Sequence, residues 1–289
     1  KMASSDMQDV KRRIKSVTSM EHITNAMKMV SAAKLRRAKA TFEKTNEYFN
    51  FITQSIAEVF NNASEVPDKY LIGNREIVNT CYIIVTSCRG LCGSFNSNII
   101  KEAEAEMKSD PEKPVIVAIG TKGRDYFKKR NYEIKNEYLA PPESISFLET
   151  KEISEPIIEM YNSGEIDEVV LIYTSYVSTL EQRVKNVTLL PFEMEKDPDI
   201  MRYGKEVEYE PSVEEVFNYL VPKYVEIMIY GAVVESATCE HAARRMAMEN
   251  ATDNARDMLS DLSLFYNRAR QSAITDEIIE IVAGSEAQK

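Results

Sequence analysis

The sequence predicts an α/β protein built on a long antiparallel coiled coil of its N- and C-terminal helices, with an α/β domain inserted between them. Three observations carry this. Residues 5–61 contain neither Pro nor Gly and repeat apolar side chains at helical spacing. A second helical repeat runs from Val213 almost to the end of the 289 residues. Between the two, short β-branched runs alternate with helical segments. Composition agrees: 44% hydrophobic against 28% charged residues supplies a core and excludes global disorder. Only 9 Gly and 10 Pro disfavour a turn-rich all-β fold.

In the first helix the apolar positions are Val10, Ile14 and Val17, then Met20, Ile23, Met27 and Val30, then Leu35, Ala38, Phe42, Phe49, Ile52, Ile56 and Val59. The stripe changes phase near Val17 and again after Val30. The helix therefore turns apolar side chains to more than one side and needs more than one neighbour.

The last helix opens with Ser212 as N-cap and Glu215 three residues on, the pattern of a capping box. Alternate steps of four and three from Val213 give Phe217, Leu220, Tyr224, Ile227, Gly231, Val234, Thr238, His241, Arg245, Met248, Thr252, Ala255, Leu259, Leu262, Tyr266, Ala269 and Ala273. This is a coiled-coil repeat, polar only in its middle. Pro222 is expected to kink the first turns or delay the start. At 1.5 Å per residue such a helix would be roughly 100 Å long, whereas a globule of this chain length is only about 50 Å across. An elongated molecule is expected.

Between the helices, strands are expected at 81–86 (CYIIVT), 115–120 (VIVAIG), 132–138, 169–175 (VVLIYTS) and 183–192, with helices at 97–107, 122–130 and 149–161. Such alternation predicts a Rossmann-like, mostly parallel sheet covered by helices. Residues 62–79, with Pro67 and Gly73, and 193–209 read as linkers. The expected organisation is an N-terminal coiled-coil helix (1–61), an α/β domain with flanking linkers (62–209) and a C-terminal coiled-coil helix (210–289).

Charge is uneven. The whole chain sets 36 Lys and Arg against 46 Asp and Glu, a net charge of −10, which excludes a wholly basic nucleic-acid binder. Yet from Val10 to Lys44 ten bases face two acids, and from Val213 to Asp261 nine acids face four bases. Two oppositely charged helices with apolar stripes suit an antiparallel pair. Residue i is expected opposite about 275 − i, within about one heptad, with Lys34 to Lys39 near Glu235 and Glu240, and Lys11 to Lys15 near Asp257 and Asp261. Beyond Ala273, Ile274, Ile278, Ile279, Ile281 and Val282 form a broad apolar face with no partner foreseen in the chain, an expected interaction site.

No catalytic constellation stands out. The glycine-bearing turn SCRGLCGSFN (87–96) matches neither GxGxxG nor GxxxxGK[ST], and reads as a structural turn that uses Gly90 and Gly93 for conformations other residues resist. Four Cys (Cys81, Cys88, Cys92, Cys239) are too few and too unevenly spaced for a disulfide framework, which points to a reducing compartment. With His22 and His241 placed on the helices, no set of zinc ligands is apparent, and each His reads as a helix-face residue at a packing seam. No run of 18 apolar residues exists and the N-terminus lacks a signal-peptide core, so neither membrane span nor secretion is expected.

Five segments resemble the gamma subunits of rotary F-type ATP synthases: ITNAMKMVSAAKLRRA (23–38), TSCRGLCGSFN (86–96), YLVPKYVEIMIYGAVVES (219–236), EHAARRMAMENATDNA (240–255) and YNRARQSAITDEIIEIVAG (266–284). The resemblance covers essentially the whole chain. Cys88 departs from it, since the family more often has Asp before Arg-Gly-Leu. The chloroplast form's regulatory Cys insertion is absent, which implies a bacterial-type subunit without disulfide control at Cys88 and Cys92.

The resemblance implies a non-catalytic central-stalk rotor. Its helix pair would stand inside a ring of alpha and beta subunits, and its α/β domain would meet the epsilon subunit and the c-subunit ring. Met27, Arg270, Gln271 and Thr275 match segments that the family turns toward beta subunits, and Ile274, Ile278 and Ile281 join them as an expected partner interface. No catalytic residue, cofactor, metal or nucleic acid is implied. The expected place is peripheral, on the cytoplasmic face of the cell membrane, with membrane contact only through the complex. The competing reading is an α/β nucleotide-binding enzyme whose helical arms serve oligomerisation.

Overall fold

The computed structural model describes residues 2–62, 67–71, 77–109, 114–192 and 210–286. Half of the first expected linker, including Gly73, and all of the second lie outside the described residues. The elements are α1 (Met2–Asn62), β1 (Thr80–Val85), α2 (Phe95–Ser109), β2 (Val115–Ile119), α3 (Thr121–Lys128), β3 (Glu133–Tyr138), α4 (Phe147–Ser163), β4 (Glu168–Tyr176), β5 (Gln182–Leu190) and α5 (Val213–Glu286). Short 3₁₀ turns lie at Asp68–Tyr70 and Pro142–Ser144.

The two long helices form as the absence of Pro and Gly in the first and the capped start of the second require. Ser212 Oγ accepts from the Glu215 N–H at 3.2 Å, satisfying one of the free donors of the first turn of α5. The helix then continues through Pro222 for 74 residues, so that Pro does not delay its start. At α4 both arms of a capping box are present between Ser146 and Glu149. That box starts the helix at Phe147, two residues before the expected position.

Two compact bodies result, residues 33–243 and residues 1–32 with 244–289, and α1 and α5 contribute to both. The first body holds a five-stranded sheet in the order β3-β2-β1-β4-β5. β1 to β4 run parallel, and β5 returns antiparallel beside β4. All six β1 residues are buried, as a central parallel strand covered on both faces must be.

Strand periodicity divides the core. Ile83 and Val85, Val117 and Ile119, and Leu171 face one layer, while Tyr82 and Ile84, Ile116, and Ile172 face the other. The second layer is closed by α2 and by Phe127 of α3. The first is closed by α4 through Ile153 and Ile157, by Ile56 of α1, and by α5 through Phe217, Val221, Val225, Ile229 and Val233. Each fully buried Ile contributes about 1.5–3 kcal/mol. Val225, Ile229 and Val233 stand off the coiled-coil repeat. This stretch of α5 is thus a core helix of the sheet, and the compact body runs wider than 62–209.

The turn from β2 to α3 depends on Gly120, whose φ of +91° suits Gly alone. A Cβ there would lie 2.1 Å from the Thr86 carbonyl oxygen. Thr86 also locks the turn by accepting the Gly123 N–H at 2.9 Å and donating to Ile119 O at 3.1 Å. Gly120→Ala should therefore lower unfolding free energy by more than about 2 kcal/mol, measured by chemical denaturation.

Candidate partner-binding surface

In the body formed by residues 1–32 and 244–289, the seam between α1 and α5 is narrow and mixes apolar side chains with small and polar ones. Val10, Thr24 and Ser31 of α1, and Met248, Thr252 and Ala255 of α5, are buried. Thr252 Oγ1 donates to Thr24 Oγ1 at 2.9 Å, and Thr24 Oγ1 donates to Glu21 O at 3.1 Å. Beside this hydroxyl pair, the Arg256 guanidinium bonds Glu21 Oε1 at 3.1 Å. These pairs set residue i opposite about 276 − i or 277 − i, one or two positions from the expected register.

The charge matching behind that expectation is not what the structure shows. Arg256 to Glu21 has the reverse polarity, and Lys11, Lys15, Asp257 and Asp261 make no ion pair among the described residues. An exposed pair is worth only about 0–1 kcal/mol, so packing of the seam and its buried hydroxyls decide the register. In the body formed by residues 33–243, Lys34 binds Glu143 at 2.8 Å instead of Glu235 or Glu240. Glu235 is taken by the sheet: its Oε1 accepts from Ser175 Oγ at 2.8 Å and from the Tyr176 N–H at 2.7 Å.

That last contact bears on chemistry. In a sheet of this order a nucleotide would lie outside the carboxyl ends of the strands, at the switch point between neighbours that depart in opposite directions. Here β4 ends against α5, which adds the Ser236 hydroxyl as acceptor for the Thr174 N–H at 3.2 Å. Cys239 of α5 joins the core layer that contains Cys92 and Phe95. After β1, the Ser87 N–H donates to Asn96 Oδ1 at 3.0 Å, and Asn96 Nδ2 donates to Ser87 Oγ at 2.7 Å. The turn binds itself and α5 fills the crevice. Leu91 and Gly93 take positive φ in that turn, whereas Gly90 does not, which corrects one of the two glycine roles expected there.

The thiols have separate surroundings. Cys88 Sγ donates to Leu139 O at 3.3 Å, while Cys92 is buried and lies 3.1 Å from Asn96 Nδ2. Burial raises the Cys88 thiol above its usual pKa, keeping it protonated. His241 is buried with Nε2 3.7 Å from Glu143 Oε1, as a packing-seam His should be. His22 is not at a seam; its side chain is 74% exposed beside Glu21.

The outer surfaces of the helix pair also carry large apolar side chains. Met20, Ile23, Met29 and Val30 of α1 and Met258, Leu264 and Phe265 of α5 are exposed. The phase change in the α1 stripe is thus real, and its second face has no partner among the described residues. Met27 is half-buried, whereas Arg270, Gln271 and Thr275 are exposed; Thr275 Oγ1 donates to Gln271 O at 2.9 Å. Ile274, Ile278 and Ile281 are 44%, 55% and 71% exposed, with Ile279 and Val282 beside them in sequence. The structure brings Arg270, Gln271, Ile274, Thr275, Ile278 and Ile281 together on the last turns of one helix.

The family model described as ATP synthase matches residues 6–288. The ATP synthase gamma chain of Alkaliphilus metalliredigens is 46% identical over 287 residues, covering 98% of this chain and 99% of that one. The chain belongs to the ATP synthase gamma-chain family. A further relative, the sodium ion specific gamma chain of Acetobacterium woodii, is 40% identical over 98% of both chains. Among solved structures, a chain of the central stalk and c-ring of the Tetrahymena thermophila mitochondrial ATP synthase aligns with TM-score 0.65 at 28% identity, over 79% of this chain and 99% of that one. A chain of the Euglena gracilis mitochondrial ATP synthase shares the fold, with TM-score 0.70 at 18% identity over 99% of this chain and 95% of that one.

Two measurements test this geometry. With Cys88 replaced by Ser and the buried native thiols left in place, cysteines at positions 24 and 252 should cross-link on mild oxidation, and cysteines at 24 and 245 should not. The Glu143 carboxyl is pushed up by burial, but the hydrogen bond from Lys34, a backbone hydrogen bond and the nearby His241 outweigh this and hold it below its ordinary 4.5. A depressed carboxyl stabilises above its unfolded pKa and loses that contribution as pH falls through the folded value. Acid denaturation of Glu143→Gln should accordingly show a shallower loss of stability below about pH 4.5 than the parent.

Proposed function

We infer that this chain is the central-stalk rotor subunit of an F-type ATP synthase, a non-catalytic member of the complex that carries rotation to the subunits where ATP is made or hydrolysed. Membership of the gamma-chain family over residues 6–288 is the observation that carries this. The physical fit is a narrowly joined helix pair with large apolar side chains left on its outside. A rotor must present one asymmetric surface to several alike subunits in turn, so contacts that are apolar and tolerant of register serve it better than specific ion pairs.

Within this reading, the helices at 1–61 and 210–289 form the stalk, with Met27, Arg270, Gln271 and Thr275 turned toward the enclosing alpha and beta ring. Residues 62–209 face the epsilon subunit and the c-subunit ring. The chain then serves ion transport across the cell membrane as a peripheral subunit on the cytoplasmic face, touching the membrane only through the complex. The nucleotide-binding-enzyme reading fares poorly, because α5 occupies the crevice that it needs. Purification from native membranes should recover the chain with alpha and beta subunits, and nucleotide titration of the isolated chain should give no high-affinity site.

The C-terminal tip supplies a sharper test. Enclosure is worth about 1.5–3 kcal/mol for each large aliphatic, so Ile274, Ile278 and Ile281 together add several kcal/mol to assembly. Asp at both Ile278 and Ile281 should lower the yield and thermal stability of reconstituted complex, whereas Leu at both should be nearly silent. Equal behaviour of the two variants would mean that the tip is not enclosed.

A further inference from the structure

In the body formed by residues 33–243, α1, the turn at Pro142–Ser144 and α5 line a pocket of about 280 Å³ that opens to solvent on one side. An apolar cavity of roughly 150 Å³ already accommodates benzene, so this one has room for a ring or short chain with a polar head. Part of its lining is apolar, through Ile145, Tyr230 and Val234. Ala38 lines it from α1, and Lys34, Arg37, Thr41, Glu143 and the buried His241 add charged and polar groups.

The charges select an occupant. Lys34 is already bound to Glu143 at 2.8 Å, so that pair is neutral overall. Arg37 makes no ion pair among the described residues, which leaves its guanidinium as the surplus charge of the lining. A guanidinium fork fits the two oxygens of a carboxylate. A phosphate dianion would exceed the single surplus charge and leave the apolar lining uncovered. A cation would meet Arg37 unshielded.

We propose that this cavity is a binding site for a small amphipathic monocarboxylate, seated with its carboxylate on the Arg37 guanidinium and its hydrocarbon part against Ile145, Tyr230 and Val234. The site rests on the cavity and its charges and not on the rotor reading. It touches two long helices and the 3₁₀ turn at once, so occupancy raises the stability of the folded chain by mass action.

The test is calorimetric titration of the full chain with hexanoate and with benzoate, beside hexylamine and inorganic phosphate, together with melting temperatures. Hexanoate and benzoate should bind at one site per chain with Kd of about 0.1–1 mM and raise the melting temperature. Arg37→Gln, at an exposed position, should leave the ligand-free melting temperature unchanged and weaken binding at least about 10-fold. Ala38→Leu, which fills the cavity from α1, should abolish binding. Three results would overturn the site: no binding of either carboxylate up to about 10 mM, binding of hexylamine or phosphate as tight as that of hexanoate, or undiminished affinity in both variants.

Discussion

The structure depends on one helix meeting unlike demands without a break. Along α5 the surroundings change from a sheet face at Phe217 to Val233, to a strand end at Glu235 and Ser236, to a single facing helix from Met248 onward. A helix of this kind owes most of its stability to tertiary packing, so its side chains must find a packing partner in each of these surroundings. Where the sheet covers α5, no residue from Val221 to Val233 is exposed; where one helix covers it, the buried positions Met248, Thr252 and Ala255 stand four and three apart.

The narrow seam in the body of residues 1–32 and 244–289 has its own logic. The two buried hydroxyls meet only in this register, while each also lies within reach of a carbonyl of its own helix, Thr24 Oγ1 of Glu21 O and Thr252 Oγ1 of Met248 O at 2.7 Å. Burying less apolar area inside the pair leaves more of it outside. A helix pair sealed by Leu and Ile would be more stable alone and would offer less to its surroundings.

Much of this was legible in the sequence. The repeat through Met248, Thr252, Ala255, Leu259, Leu262, Tyr266, Ala269 and Ala273 names the positions of α5 that are buried or half-buried, because facing one neighbour imposes one period. The phase change in α1 announced its second apolar face. The register was nearly right for a reason that fails: net charges suggested it, but Lys34 turns to Glu143, more than a hundred residues away in sequence. Such a pair is fixed by the tertiary path and leaves no local period to read. Gly120 was hidden for a related reason, since it closes a strand whose pattern continues smoothly into it. The Ser146 and Glu149 capping box was readable by spacing, and would have placed the start of α4 correctly. Arg270, Gln271 and Thr275 could be reached only through resemblance, since an exposed polar residue on a helix carries no periodic signal of its own.

The anchoring of β4 by Glu235 and Ser236 has a consequence for how this fold can change over generations. In sheets that hold a nucleotide, the residues at the strand ends answer to a ligand whose shape does not vary. Here Thr174, Ser175 and Tyr176 answer to a helix of the same gene, and both sides are free to drift so long as they drift together. A scaffold released from a small molecule in this way keeps its topology while losing the glycine-rich signature by which such sheets are ordinarily known.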